Sequence, residues 1–242
     1  AMIEGIAGPS FELTANADHI STPEGGSVYI WGFANGAGRA QYPGPTLIVN
    51  QGDTVTVTLR NNLPVDAGNV SIVFPGQKVT ASGGTTGLIT QEAPPDNGLT
   101  PVTYTFIAEE PGTYLYASGT NPELQVEMGL TGAIIVRPYG YDHMMPRAYG
   151  HDSSRYEYEY LFFLTEMDKR IHDVVEFEGV AALADTDYLS HYFPVYWFIN
   201  GRCAPDTMLA NYVAWLPTQP YNCMPMMHPG DRLLMRVVAA GR

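Results

Sequence analysis

From residue 28 to residue 136 the sequence keeps returning to one pattern. A few residues alternate between apolar and polar, and a cluster of Gly, Pro, Asn or Asp then stops them. Residues 28–33, 54–59 and 103–107 alternate, and 112–116 and 132–136 are further short apolar runs. Breakers such as Glu24-Gly25-Gly26, Pro43-Gly44-Pro45, Asn61-Asn62, Pro94-Pro95-Asp96-Asn97-Gly98 and Glu110-Pro111-Gly112 frame them. A period of two puts one face of each strand in a core and the other in water. Short strands at this spacing predict an all-β sandwich or barrel. The 25 glycines, 19 prolines and 16 tyrosines, with only 15% charged residues, agree with that and exclude a helical bundle.

The 242 residues allow one large β domain or two ordinary ones. Lys and Arg number 12 against 25 Asp and Glu, a net charge of −13. A protein that tracks phosphates needs a basic face, so nucleic acid and an anionic membrane surface are excluded as partners. The longest apolar run, 130–136, is a strand's length and not a membrane span. Lysine occurs only as Lys78 and Lys169, and the chain begins Ala1-Met2, a mature end or a cloning scar. An exported protein is expected: extracellular, cell-surface or periplasmic. In that setting Cys203 and Cys223, 20 residues apart around a Pro-rich stretch, read most simply as one disulfide. Two free buried thiols are the alternative.

The strand pattern closes at residue 137. Residues 138–157 are turn-rich and aperiodic and read as a linker. Strand signals resume at 157–164, 194–199 and 232–238, so 158–242 forms a second unit. Residues 174–191 are ambiguous, with 180–184 a short helix or part of a long excursion. An internal echo ties the two parts together. Gly52-Asp53 opens an alternating strand, and so does Gly230-Asp231. Gly-Asp makes a turn whose carboxylate caps nearby amides. About 80 residues come after the first copy before its unit closes, but only eleven come after Asp231. The second unit is therefore the start of a β domain, and the strand at 232–238 is left with an apolar edge.

The motifs resemble a known family. Tyr42-Pro43-Gly44-Pro45-Thr46-Leu47, Gly52-Asp53 and Leu59-Arg60-Asn61-Asn62-Leu63-Pro64 are similar to the first cupredoxin domain of a multicopper oxidase. Glu110-Pro111-Gly112-Thr113-Tyr114-Leu115-Tyr116 resembles its late strand, and Met128-Gly129-Leu130-Thr131-Gly132 opens the closing one. Phe198-Ile199-Asn200-Gly201-Arg202 and Pro229-Gly230-Asp231-Arg232-Leu233 resemble the opening of the next cupredoxin domain. The resemblance implies a cupredoxin-like Greek-key β-sandwich: one complete domain plus the start of a second.

The resemblance stops at the copper ligands. Where the family carries His-Trp-His-Gly, this chain has Val73-Phe74-Pro75-Gly76, and where it carries His-Ser-His, this chain has Ala117-Ser118-Gly119. Val73, Pro75, Ala117 and Gly119 offer copper no side-chain lone pair, so these are degenerate ligand positions. No His-x-His pair exists among His19, His143, His151, His172, His191 and His228, which read as surface or hydrogen-bonding histidines. Two soft clusters remain: His143-Met144-Met145, and Cys223-Met224-Pro225 running into Met226-Met227-His228. Thioether and imidazole together suit Cu(I), although methionines also fill gaps at interfaces. Nucleophile and phosphate-loop motifs are absent, the Gly83–Gly87 run reads as a loop, and Asn69-Val70-Ser71 fits a glycosylation triplet.

The expectation is the N-terminal part of an exported multicopper-oxidase-like protein. Its first domain has lost copper and acts as scaffold or assembly module. No cofactor is expected in this chain, and copper in the full-length protein would bind beyond Arg242. Its partners are its own downstream domains or further copies of itself. One alternative is a divergent copper-dependent oxidase using downstream or cross-subunit sites. The other is a metal-free structural subunit completed by strand addition, with Leu234 on the docking strand.

Overall fold

A computed structural model describes residues 3–241. Ala1, Met2 and Arg242 lie outside the described residues, and so do the expectations about the chain's first residues and about sequence beyond Arg242. The strands are β1 (Ile6–Ala7), β2 (Ser10–Ser21), β3 (Ser27–Asn35), β4 (Leu47–Asn50), β5 (Thr54–Asn61), β6 (Thr80–Gly83), β7 (Thr85–Thr86) and β8 (Gln91–Glu92). They continue with β9 (Val102–Ile107), β10 (Gly112–Ala117), β11 (Thr131–Arg137), β12 (Tyr158–Met167), β13 (Tyr196–Ile199) and β14 (Leu233–Ala239). Two helices accompany them, α1 (Pro122–Gln125) and α2 (Lys169–Phe177). The all-β expectation holds, and the strands predicted from alternation are present.

Three sheets stack as layers. The outer sheet runs β3-β2-β5-β9-β6, the middle one β1-β4-β11-β10, and the third β13-β12-β14. β5 shows why the first two close on each other. Val55, Val57 and Leu59 point inward and are fully buried, while Thr54, Thr56 and Thr58 face out. They meet Leu47, Ile134 and Val136 of the middle sheet in one core. β11 is buried at every position because it is covered on both faces. Ile134 and Val136 serve that core, while Ala133 packs on the other side against Leu161, Phe163 and Val238 of the third sheet. A strand covered twice loses its polar alternate, which is why 130–136 is the longest apolar run.

A buried charge cluster sits at the same junction. Glu159 of β12 pairs with Arg137 at the end of β11 and with Arg236 of β14 at 2.6 Å. Tyr156 donates to the same carboxylate at 3.2 Å. Burial by itself would raise the Glu159 carboxyl, but the two guanidiniums hold it below the usual carboxylate range. Arg236 also donates to Thr113 of β10 at 2.9 Å, tying the third sheet to the middle one. Residues 138–157 reach this cluster through Tyr156, and Arg147 pairs with Arg155 in a short bridge along the way.

The internal echo is a structural repeat. Asp53 accepts from the Asn50 amide at 2.8 Å, and Asp231 accepts from the His228 amide at 2.8 Å. Gly52 and Gly230 both take positive φ, 89° and 96°. β2 pairs antiparallel with β3 and parallel with β5; β12 pairs antiparallel with β13 and parallel with β14. The third sheet thus repeats the first three strands of the outer sheet. Counted from the Gly-Asp turn, Leu233, Met235 and Val237 take the places of Val55, Val57 and Leu59.

The ambiguous stretch resolves into α2 and a 3-10 turn at Val180–Asp185. It forms a strap that leaves the third sheet and lies on the first sandwich, where Ile171, Val175 and Leu183 join the core.

The expected disulfide is corrected: Cys203 and Cys223 are both free, half-buried thiols. The Cys203 thiol donates to the Trp197 carbonyl at 3.3 Å, and the Cys223 amide donates to Thr207 O at 2.7 Å. Burial pushes both thiols up to about 11. The loop between them is held by a fully buried arginine instead. Arg202 Nε donates to Gln219 O at 2.8 Å, and Nη1 points at the carbonyls of Asp206, Leu209 and Ala210.

Candidate functional site

Three of the four degenerate ligand positions meet in space. Val73 and Ala117 form an isolated bridge, with the Val73 amide 2.8 Å from Ala117 O. Gly119 lies against them: a β-carbon there would come within 2.5 Å of Val73 Cγ1. The fourth, Pro75, is exposed on the adjoining turn. Between them Phe74 packs into the core against Tyr104, Phe106 and Tyr116, at ring-centre distances of 5.7, 5.1 and 6.3 Å.

Hydroxyls and amides stitch this region shut. Thr120 Oγ1 donates to Ser71 Oγ at 2.9 Å, and Ser118 Oγ to Gln125 Oε1 at 2.5 Å. Gln125 Nε2 donates to the carbonyls of Asn69 at 2.8 Å and Ala67 at 3.2 Å. Asn69 Nδ2 donates to Glu92 at 3.1 Å, and Ser71 is buried. Among the described residues no group of three His, Cys, Asp or Glu is placed to hold a metal ion. The side chains at the four positions do not fit copper.

The two soft clusters have different neighbours. His143, Met144 and Met145 line a shallow cavity with Arg155, Glu157 and Arg232. Met226, Met227 and His228 are not part of that lining. They are exposed and held from β12: Tyr158 Oη lies 3.2 Å from His228 Nδ1, and Tyr160 Oη accepts from the Met226 amide at 3.1 Å.

Sequence reasoning missed a buried cluster under the strap, where His172 of α2 faces Glu127. The one signal was His172 on the apolar face of an amphipathic helix, beside Ile171 and Val175.

The family profile described as multicopper oxidase matches residues 17–140, half of the chain. The chain belongs to the multicopper oxidase family. Among curated members, Laccase 1 of Metarhizium robertsii is 36% identical over 118 residues, which is 45% of this chain and 18% of the laccase. Laccase abr2 of Aspergillus fumigatus is 36% identical over 109 residues, 44% of this chain and 16% of that protein. The match thus spans less than a fifth of these relatives' length. Among solved structures, a copper nitrite reductase from Nitrosomonas europaea superposes with a TM-score of 0.65 at 20% identity. It covers 98% of this chain and 68% of that one. Fet3p, a multicopper oxidase that functions in iron import, gives 0.62 at 20% identity over 98% of this chain and 37% of its own. At that identity these neighbours carry the fold alone: a cupredoxin-like chain of the multicopper oxidase family.

Proposed function

We propose that this chain is the N-terminal part of an exported multicopper-oxidase-like protein whose first cupredoxin domain no longer binds copper and serves as scaffold and assembly module. The reading rests on Gly119 against Val73: a histidine at 119 has no room, because the neighbouring ligand position is filled by a branched aliphatic side chain. Any copper chemistry or electron transfer belongs to residues beyond Arg242. The test is copper content after loading the purified chain with Cu(I) and with Cu(II), followed by dialysis. Less than a tenth of an equivalent should remain. One retained equivalent overturns the reading, and its loss on replacing Met144, Met145, Met226 and Met227 would assign it to the soft clusters.

The open third sheet favours the assembly role. Leu233, Met235 and Val237 occupy the places that in the first sandwich face the middle sheet, yet Met235 is 54% and Val237 57% exposed. Tyr158, Tyr160, Phe162 and Leu164 of β12 share that side, with Trp197 of β13. A second sheet is needed to cover it, from downstream residues or from another chain by strand addition at β14. The intact mass of the protein from its native source separates the two. A mass well above 26.5 kDa supports downstream residues. A mass of 26.5 kDa, with a high-order assembly, supports the structural subunit.

A further inference from the structure

The face of the outer sheet turned away from the core is built of hydroxyls. Ser10, Thr56, Thr105 and Thr80 lie side by side across β2, β5, β9 and β6, and Glu12, Thr58, Thr103 and Ser82 form the next row. Neighbours within a row sit about 4.8 Å apart. Threonine suits any wet strand face, so these rows alone identify no ligand. The third row changes character. Thr14 stands opposite Arg60, and both line an open groove at that end of the sheet.

The groove consists of two hollows, of about 500 and about 400 Å³, that share Asn16, Asn62 and Asn97. Both volumes fall in the range of small-molecule sites. Asn62 Nδ2 donates to Asn16 Oδ1 at 3.0 Å and Asn16 Nδ2 to Gly38 O at 3.2 Å, which fixes both amide planes. Asn97 is exposed at φ 60°, and none of the described residues bonds its side-chain amide. Arg39 clamps Asp18 through Nη2 at 2.6 Å and Nε at 2.9 Å, and Arg60 lies 3.7 Å from Glu12. Each guanidinium of the lining is set against a carboxylate, so the groove carries no net charge in a chain of −13. Ala17, Gly36, Ala37 and Gly38 are the small residues of the lining and let a ligand ring approach the backbone.

These features select a chemistry. An anion would meet Asp18 and Glu12, and a cation would meet Arg39 and Arg60. An apolar ligand would strip water from the amides without replacing its hydrogen bonds. A saccharide avoids all three costs. It is uncharged, and each hydroxyl both donates and accepts, as an amide does through its N–H and C=O. We propose that the groove where Asn16, Asn62 and Asn97 meet is a binding site for a neutral glycan, whose further units lie over the hydroxyl rows. The site uses none of the residues at 73, 75, 117 and 119, so it stands or falls separately from the loss of copper.

The test is NMR of the full chain titrated with four soluble probes: laminarihexaose, cellohexaose, maltohexaose and chitohexaose, each up to about 10 mM. The side-chain amide signals of Asn16, Asn62 and Asn97 should move saturably with at least one, with a Kd below about 1 mM. No movement with any of the four overturns the proposal. Asn97→Gly keeps the backbone, because glycine takes positive φ without strain, and deletes one amide. It should weaken binding about tenfold at an unchanged unfolding midpoint. Asn62→Ala, at an exposed position, is the second variant and carries the same expectation. Unchanged affinity in both puts the sugar elsewhere and overturns the assignment. A hexaose should bind about tenfold more tightly than its disaccharide, and Thr58→Val with Thr103→Val should remove that gain. Equal affinity for the two lengths overturns the extension over the rows. Tighter binding of a charged sugar, glucuronate or glucosamine, overturns the neutral class.

Discussion

Arg202 shows how one side chain can do what a disulfide was expected to do. Its guanidinium is buried without a carboxylate partner and spends its donors on carbonyls of the loop between the cysteines. Burial accordingly pulls it below its ordinary value. Arg202→Met should lower stability by about 3 kcal/mol, since several buried carbonyls lose their donor at once. Replacing both cysteines by serine should cost less than about 1 kcal/mol, and a reductant should not move the urea midpoint. Equal effects from the two changes would contradict this account. Glu159 makes a second residue-scale case. Its carboxyl is depressed by Arg137 and Arg236, so the stability it supplies is present at neutral pH. That stability is lost as pH falls from the ordinary value of 4.5 through the lowered one. Glu159→Gln should cost about 3 kcal/mol near pH 7 and show a shallower acid transition by circular dichroism, because two buried guanidiniums lose their counter-charge.

At the scale of the element, β14 corrects an expectation about docking. The sequence presents Leu234 as a docking residue, but alternation turns Leu234 to the covered side with Arg236 and Val238. The open side carries Met235 and Val237. Leu234→Lys should therefore lower stability by about 2 kcal/mol through lost burial, while Val237→Lys should leave the unfolding midpoint nearly unchanged and reduce association. Thermal unfolding together with light scattering tests both. β2, twelve residues long and paired on both sides in the outer sheet, was not legible as a strand. Its buried alternation of Phe11, Leu13 and Ala15 gives way to half-buried Asn16, Ala17 and Asp18 and exposed His19 before Ile20 is buried again, which breaks the period.

For the whole molecule, the strap makes the two parts depend on each other. Residues 1–137 contain every strand of the first sandwich but lack Ile171, Val175 and Leu183, which complete its core. That fragment should bind a hydrophobic dye and unfold with low cooperativity, whereas residues 1–193 should restore the sandwich. Cooperative unfolding of residues 1–137 at the full chain's midpoint would refute this. The three-layer stack leaves the third sheet covered on the side of the middle sheet and open on the other. Its exposed side chains, Met235, Val237 and Trp197, are the set that the proposed covering sheet would bury.

The all-β class, the strands at 28–33, 54–59 and 103–107, the repeated Gly-Asp turn and the identity of the side chains at 73, 75, 117 and 119 were determined by the sequence. These depend on local periodicity, on turn chemistry within four residues, or on which atoms a side chain carries. Tertiary structure decided the rest, because it depends on what lies across a gap in space. Only the fold put Val73 against Gly119 and left two cysteines unjoined around a buried arginine. Only the fold set His172 opposite Glu127, 45 residues away in the chain. A buried ionisable side chain carries no periodic signal, since what it means is set by the partner that long-range packing delivers to it.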